Sequence, residues 1–325
     1  MGTETMDNVY DFIIIGGGAA GLSAAQYAGR SNLKTLVIEE KGEGGQAVYI
    51  DRLENYPGIL EPISGYDFAS AMKKQAIKFG AHFIYGKVSG IGKKAGKFVI
   101  PVEPPEGEPV IYEARTVLLA TGADHRKLGV PGEAEYYGKG VSYCASCDGP
   151  FFRDKHIVVV GGGDAACDEA NFLAHITDRV TMIHRRDSFR AQKAIAERTL
   201  KNPHITVKFN MTVEEIRGGE GPAGKVSSVL VRDVKTNEVS ELACDAVFVF
   251  VGMDPRTELA SIAKMDECGY IITDENMQTS LKGLFAAGDI RSKPFRQIVT
   301  AAADGAIAAH AASNCIDEML CESVK

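Results

Sequence analysis

Nowhere in this 325-residue chain does an apolar run approach the roughly 18 residues that a membrane-crossing helix requires. Met1 to Asp11 is short and polar, without the charged, apolar and small-residue regions of a secretory leader, so a cytoplasmic protein is expected. An excess of positive charge is also missing. The net charge of -7 argues against nucleic acid or an anionic membrane as partner. The seven cysteines are odd in number and scattered, which excludes a secreted disulfide framework. No second Cys-x-x-Cys and no Cys/His pair at finger spacing accompanies Cys144-Ala145-Ser146-Cys147, which weakens a zinc reading of that pair.

What is present is a repeated supersecondary pattern. Tyr10 to Ile15 is a short apolar run of buried-strand type. It is followed by Gly16-Gly17-Gly18-Ala19-Ala20-Gly21, an Ala-rich helix to about Arg30, and a strand from Lys34 to Ile38 that ends at Glu39. The pattern returns at His156 to Val160, with Gly161-Gly162-Gly163-Asp164-Ala165-Ala166, a helix to about His175 and a strand from Val180 to Ile183. A third apolar stretch, Leu284 to Ala287, ends in Gly288-Asp289 and leads through Arg296-Gln297-Ile298 into an Ala-rich helix to about Leu320. Gly-rich residues 217–225 read as a surface hairpin loop. The length suits two domains, with joints near Thr121-Gly122-Ala123 and Val251-Gly252-Met253. The expected class is α/β: two Rossmann-like, three-layer nucleotide-binding domains, the second inserted into the first. Residues 1–122 and 253–325 form one domain, and residues 123–252 form the other, carrying the Cys-x-x-Cys.

A strand, a glycine turn and a helix let backbone approach a pyrophosphate, with free N–H groups and partial positive charge at the helix start. Gly16, Gly18 and Gly21 fit that fingerprint, and Glu39 stands where a carboxylate accepts from a ribose. Gly161, Gly163 and Ala166 repeat it, but the second strand there leads into His184-Arg185-Arg186, with Arg190 one helical turn further on. Guanidinium groups bind a 2′-phosphate that a carboxylate would repel, so this site should prefer NADPH to NADH. The competing view is a solvated basic face at a helix start. At Cys-x-x-Cys spacing two sulfurs close a small ring, and one thiolate reacts near neutral pH. Asp148 fits a proton donor to a departing thiolate and, equally, a turn-forming Asp before Gly149-Pro150. Cys167 and Cys244 read as buried small hydrophobes, and Cys315 and Cys321 as ordinary thiols on the last helix.

These residues together resemble the low-molecular-weight, bacterial-type thioredoxin reductases, class II pyridine nucleotide-disulfide oxidoreductases, over nearly the whole chain. Carrying the resemblance are both glycine turns, Gly44-Gly45-Gln46, Glu54-Asn55-Tyr56-Pro57-Gly58, Ala120-Thr121-Gly122, Cys144 to Gly149, His184 to Ala191, Gly288-Asp289 and Arg296-Gln297-Ile298. The resemblance implies FAD in the first site, with Gly16, Gly18, Ala19, Ala20, Gly45, Ala120, Gly122 and Gly288 in contact. Glu39 would meet the adenosine ribose, and Gln46 and Asn55 would lie near the flavin. Asp289 would hold the ribityl chain, and Arg296, Gln297 and Ile298 would run along the isoalloxazine. NADPH would take Gly161, Gly163, Asp164, Ala165, His184, Arg185, Arg186 and Arg190. Cys147 would face the flavin, Cys144 would attack the disulfide of thioredoxin, and Asp148 would be the acid, in a homodimer whose NADPH domain rotates. The chain departs from the pattern in Ala47-Val48-Tyr49-Ile50, where a threonine-rich run is usual, and in Arg256, where Asn is common. A ferredoxin:NADP reductase would lack the dithiol, a dithiol oxidase would lack the arginine cluster, and a nucleotide-sensing module would need neither.

Overall fold

The computed structural model describes residues 8–323 apart from 51, 52, 54, 220, 222 and 223; Glu54 therefore lies outside the described residues, as does part of the loop at 217–225. The chain divides into two compact units. One comprises the chain up to Asp124 and from Pro255 onward, and the other is His125–Asp254.

In the first unit the apolar run becomes the strand Val9–Ile15, flanked in parallel by Thr35–Glu39 and Val110–Leu119. His82–Tyr85 extends the sheet on one side, and Leu284–Ala286 pairs with the end of Val110–Leu119 on the other. Side chains alternate along a strand. Phe12 and Ile14 accordingly pack on alanines of the helices Ala19–Arg30 and Ile298–Ser323, while Ile13 and Ile15 pack on Phe98, Ile100 and Val102 of the antiparallel strand Lys97–Glu103. The result is three layers. Each large side chain sealed inside, such as Phe12 or Ile14, contributes roughly 1.5–3 kcal/mol.

The second unit repeats the plan. Its parallel sheet runs Ile205–Phe209, Val180–His184, Ile157–Gly161, Ala246–Phe250 and Val141–Ser142 in spatial order. Ile157 and Val159 face the helix Asp164–Leu173, and Val158 and Val160 face the antiparallel sheet Met211–Gly218, Val226–Asp233, Val239–Ala243. Met211–Gly218 and Val226–Asp233 pair antiparallel, and Arg217 and Gly218 belong to the first of these strands. Among the described residues no helix is long and apolar enough to cross a membrane.

One local expectation fails. Arg190 does not lie on a helix, because residues 185–192 form bends and coil and the next helix begins at Lys193. The physical reason is long-range: Arg190 N–H donates to Gly162 O at 2.7 Å, and Asp164 Oδ1 accepts from Gln192 N–H at 2.7 Å. The glycine turn pins the segment outside a helix.

Candidate active site

The first glycine turn is built for close backbone approach. Gly16 has φ +107°, and a Cβ there would lie 2.4 Å from Ala120 O. At Gly21 a Cβ would sit 1.9 Å from Gly16 O, so only glycine lets the helix start against the turn. The turn opens on a cavity of about 770 Å³ in the first unit. Of the residues expected there, Gly16, Gly18, Ala19, Ala20, Glu39, Gly45, Gln46, Ala120, Gly122, Gly288, Asp289, Gln297 and Ile298 line it.

Asn55 and Arg296 do not line it. Asn55 donates to Gln297 Oε1 at 3.0 Å, and the Arg296 guanidinium lies 3.9 Å over the Tyr270 ring with Nε buried and unpartnered. Glu39 Oε2 accepts from Gly17 N–H at 2.6 Å and Oε1 from Lys41 N–H at 2.9 Å, which fixes the carboxylate at the cavity edge. Asp289 keeps one buried oxygen, Oδ1, without a hydrogen bond, and Lys293 Nζ stands 3.6 Å away. Burial pushes this carboxyl above its ordinary range, against the opposing pull of Lys293 and Arg296. An orphaned acceptor on a cavity wall suits a hydroxyl donor. These features fit a dinucleotide with a sugar-like hydroxylated chain.

Several lining residues carried no sequence signal. Glu43 accepts from Tyr85 OH at 2.6 Å and is ion-paired with Lys73. Arg256 pairs with Glu40 at 2.8 Å and reaches Asp124 at 3.6 Å, a use of the residue that departs from the family pattern. Gly45–Tyr49, which also lines the cavity, forms a 3-10 turn with Ala47 buried.

A second cavity, about 320 Å³, lies wholly within the second unit. Gly161, His184, Arg185 and Arg190 line it; Gly163, Asp164, Ala165 and Arg186 do not. Gly161 has φ +154°, and a Cβ there would lie 2.3 Å from Phe250 O. Asp164 is engaged by Gln192, whose Nε2 donates to Oδ2 at 2.8 Å, so it acts on the loop that carries the arginines. His184 is buried, with Nε2 unpartnered, and its ring lies against Gly162. Burial, reinforced by the charges of Arg190, Arg186 and Arg185, holds its imidazole below the usual range. Arg185 and Arg190 are exposed and make no ion pair among the described residues, leaving their charge for a ligand. Arg126, Lys127 and residues 211–213 also line this cavity and were not singled out by spacing, because they come from distant strands and loops.

Cys144 and Cys147 form a disulfide, with Cα atoms 5.3 Å apart, across the short helical turn Ala145–Asp148. Cys147 is exposed and Cys144 half-buried. Cys147 N–H donates to Cys144 Sγ at 3.2 Å, and Asp148 N–H donates to Cys144 O at 3.2 Å. The half-buried Asp148 is therefore beside the pair, as a turn residue at the least. Elsewhere burial pushes the Cys167 thiol up to about 11 and Cys244 up to about 12, so both are protonated and inert. Cys315 is buried and Cys321 exposed on the last helix.

Residues 10–305 match the family model for pyridine nucleotide-disulphide oxidoreductases. The chain belongs to that family. Within the pyridine nucleotide-disulphide oxidoreductases, it is 62% identical over 314 residues to a thioredoxin reductase of Treponema pallidum (strain Nichols), covering 97% of this chain and 99% of that one. A Lactococcus lactis thioredoxin reductase solved in its FR conformation is 44% identical with a TM-score of 0.88, covering 95% of this chain and 99% of the other. The thioredoxin reductase of T. acidophilum is 34% identical with a TM-score of 0.87, covering 96% and 100%.

Proposed function

We propose that this flavoenzyme is an NADPH-dependent thioredoxin reductase, a cytoplasmic homodimer that delivers electrons to oxidised thioredoxin or a thioredoxin-like disulfide protein. The observation that carries the reading is a Cys-x-x-Cys disulfide in a chain that also holds two separate glycine-turn cavities. FAD suits the larger cavity, in the domain formed by residues 1–122 and 253–325, and NADPH suits the smaller, in residues 123–252. The two cofactors supply hydride acceptance and the two electrons that open the disulfide.

The chain's own residues do the rest. Backbone N–H groups at the start of Ala19–Arg30 would receive the pyrophosphate in the larger cavity, and the Gly161-Gly162 turn is the backbone that would meet the one in the smaller. Glu39 and Asp289 would orient hydroxylated sugars, and Arg185 and Arg190 would meet the 2′-phosphate, with Arg186 contributing field from outside the cavity. Two electrons and two protons convert the Cys144–Cys147 bond to a dithiol. The Cys144 thiolate then attacks one sulfur of the partner's disulfide, forming a mixed disulfide and releasing the partner's other sulfur as thiolate. Cys147 thiolate attacks Cys144 Sγ, restoring the internal bond and freeing the reduced partner, while Asp148 donates a proton to the departing sulfur. The order of the two cysteines follows the family resemblance, since in this structure Cys147 is the more exposed.

NADPH oxidation by the purified yellow protein, with and without thioredoxin, tests the reading alongside Cys144→Ser and Cys147→Ser. Thioredoxin-dependent turnover lost in both variants, with a trapped mixed disulfide in Cys147→Ser, is expected. Flavin reduction without thioredoxin turnover in the wild type would move the search to a different disulfide partner.

A further inference from the structure

Between the dithiol and the nucleotide cavity runs a buried polar chain that the reaction as described does not use. Glu133 is 3% exposed. Its Oε1 accepts from Leu128 N–H at 2.8 Å and from Tyr143 OH at 2.7 Å, and its Oε2 accepts from Gly129 N–H at 2.7 Å. Leu128 lies on the loop whose residues Arg126, Lys127, Leu128 and Val130 wall the smaller cavity. Tyr143 directly precedes Cys144, and the Cys144 N–H donates to Ser142 Oγ at 3.0 Å. One carboxylate thus grips the cavity wall with one oxygen pair and the dithiol segment with a hydroxyl. The Tyr143 ring is further held by stacking on His125, centroids 5.9 Å apart, and by tilted contact with Tyr137 at 5.8 Å.

A buried carboxylate with three donors has one low-energy arrangement, and losing a donor weakens the hold on it. Displacing the wall loop therefore shifts Glu133, and Glu133 cannot shift without carrying the Tyr143 hydroxyl. Tyr143 is one peptide unit from Cys144, so the displacement reaches the reactive segment. We propose that Glu133 and Tyr143 are positioning residues that couple the two sites, so that a dinucleotide seated against Arg126–Val130 restrains the segment carrying Cys144. The inference rests on the assignment of NADPH to this cavity. Linkage makes the coupling reciprocal: a nucleotide that restrains the dithiol segment is itself bound differently when that segment changes.

The test uses the flavin-loaded enzyme, reduced with dithiothreitol and desalted under argon. Iodoacetamide labelling of the Cys144–Cys147 peptide is followed by mass spectrometry with and without saturating NADP+, while exposed Cys268 and Cys321 serve as internal controls. Calorimetry on the same samples measures NADP+ binding. Wild type should be protected about fivefold by NADP+. Tyr143→Phe, which keeps the ring and removes only the hydroxyl, should lose that protection while Cys268 and Cys321 label as before. Glu133→Gln should lose it too, and Tyr137→Phe, at the exposed neighbouring ring, should keep it. Undiminished protection in a folded, nucleotide-binding Tyr143→Phe enzyme overturns the coupling and leaves the proposed function intact. No protection in a wild type that binds NADP+ overturns it as well. Failure of the wild type to bind NADP+ at all removes the nucleotide assignment, and the inference with it.

Discussion

Replacing Arg185 and Arg190 together with alanine strips the smaller cavity of the two guanidinium groups singled out as readers of the 2′-phosphate. Neither makes an ion pair among the described residues, so no internal bridge is broken when they bind a ligand or when they are removed. A charge-assisted hydrogen bond is worth about 1.5–3 kcal/mol, and water at these exposed side chains argues for the lower figure. Two such contacts give about 3 kcal/mol, roughly 150-fold in kcat/KM for NADPH. NADH has no phosphate to lose, so its kcat/KM should move by less than about twofold. Arg186 does not reach the cavity wall, and Arg186→Ala should lower NADPH efficiency by about threefold at most, against about tenfold for Arg185→Ala alone. Steady-state oxidation of each nucleotide with a saturating disulfide substrate measures all of these. Equal losses with NADPH and NADH, or an Arg186→Ala defect as large as that of Arg185→Ala, would refute the assignment of the 2′-phosphate to Arg185 and Arg190.

Gly21→Ala places a Cβ 1.9 Å from Gly16 O, and overpacking of that kind costs about 1–3 kcal/mol or more. The variant should purify with reduced flavin content and a lower melting temperature, whereas full flavin occupancy would contradict the need for that close approach. His184, held below its ordinary pKa by burial, stays neutral in the folded chain while the unfolded chain takes up a proton near pH 6.5. The unfolded state then binds more protons, so stability should fall as pH drops below about 6.5 and level off below the depressed folded value. His184→Gln should flatten its share of that decline in urea midpoints, and an unchanged pH slope would show that the histidine does not titrate as described.

The elements that could be read from residue order are those whose cause is local. An unbroken run such as Phe12-Ile13-Ile14-Ile15 has no polar face to leave in water, so it reads as a buried parallel strand. The glycines after it read as a turn because a Cβ would strike backbone a few residues away, as Gly21 against Gly16 shows. The Cys144–Cys147 pairing was equally legible, since three-residue spacing alone brings two sulfurs within reach. Arg190 was misread as helical because its backbone partner, Gly162, lies far back in the sequence.

By itself, then, the sequence determined the two strand–turn–helix units, the dithiol between them and the basic character of the second site, all consequences of neighbours along the chain. Only the tertiary structure decided which arginines reach the cavity, that Asp289 keeps on its wall an oxygen without a hydrogen bond, and that Glu133 binds both the wall loop and Tyr143. Those outcomes depend on desolvation and on hydrogen bonds between groups that the fold, and not the spacing of residues, brings within 3 Å of one another.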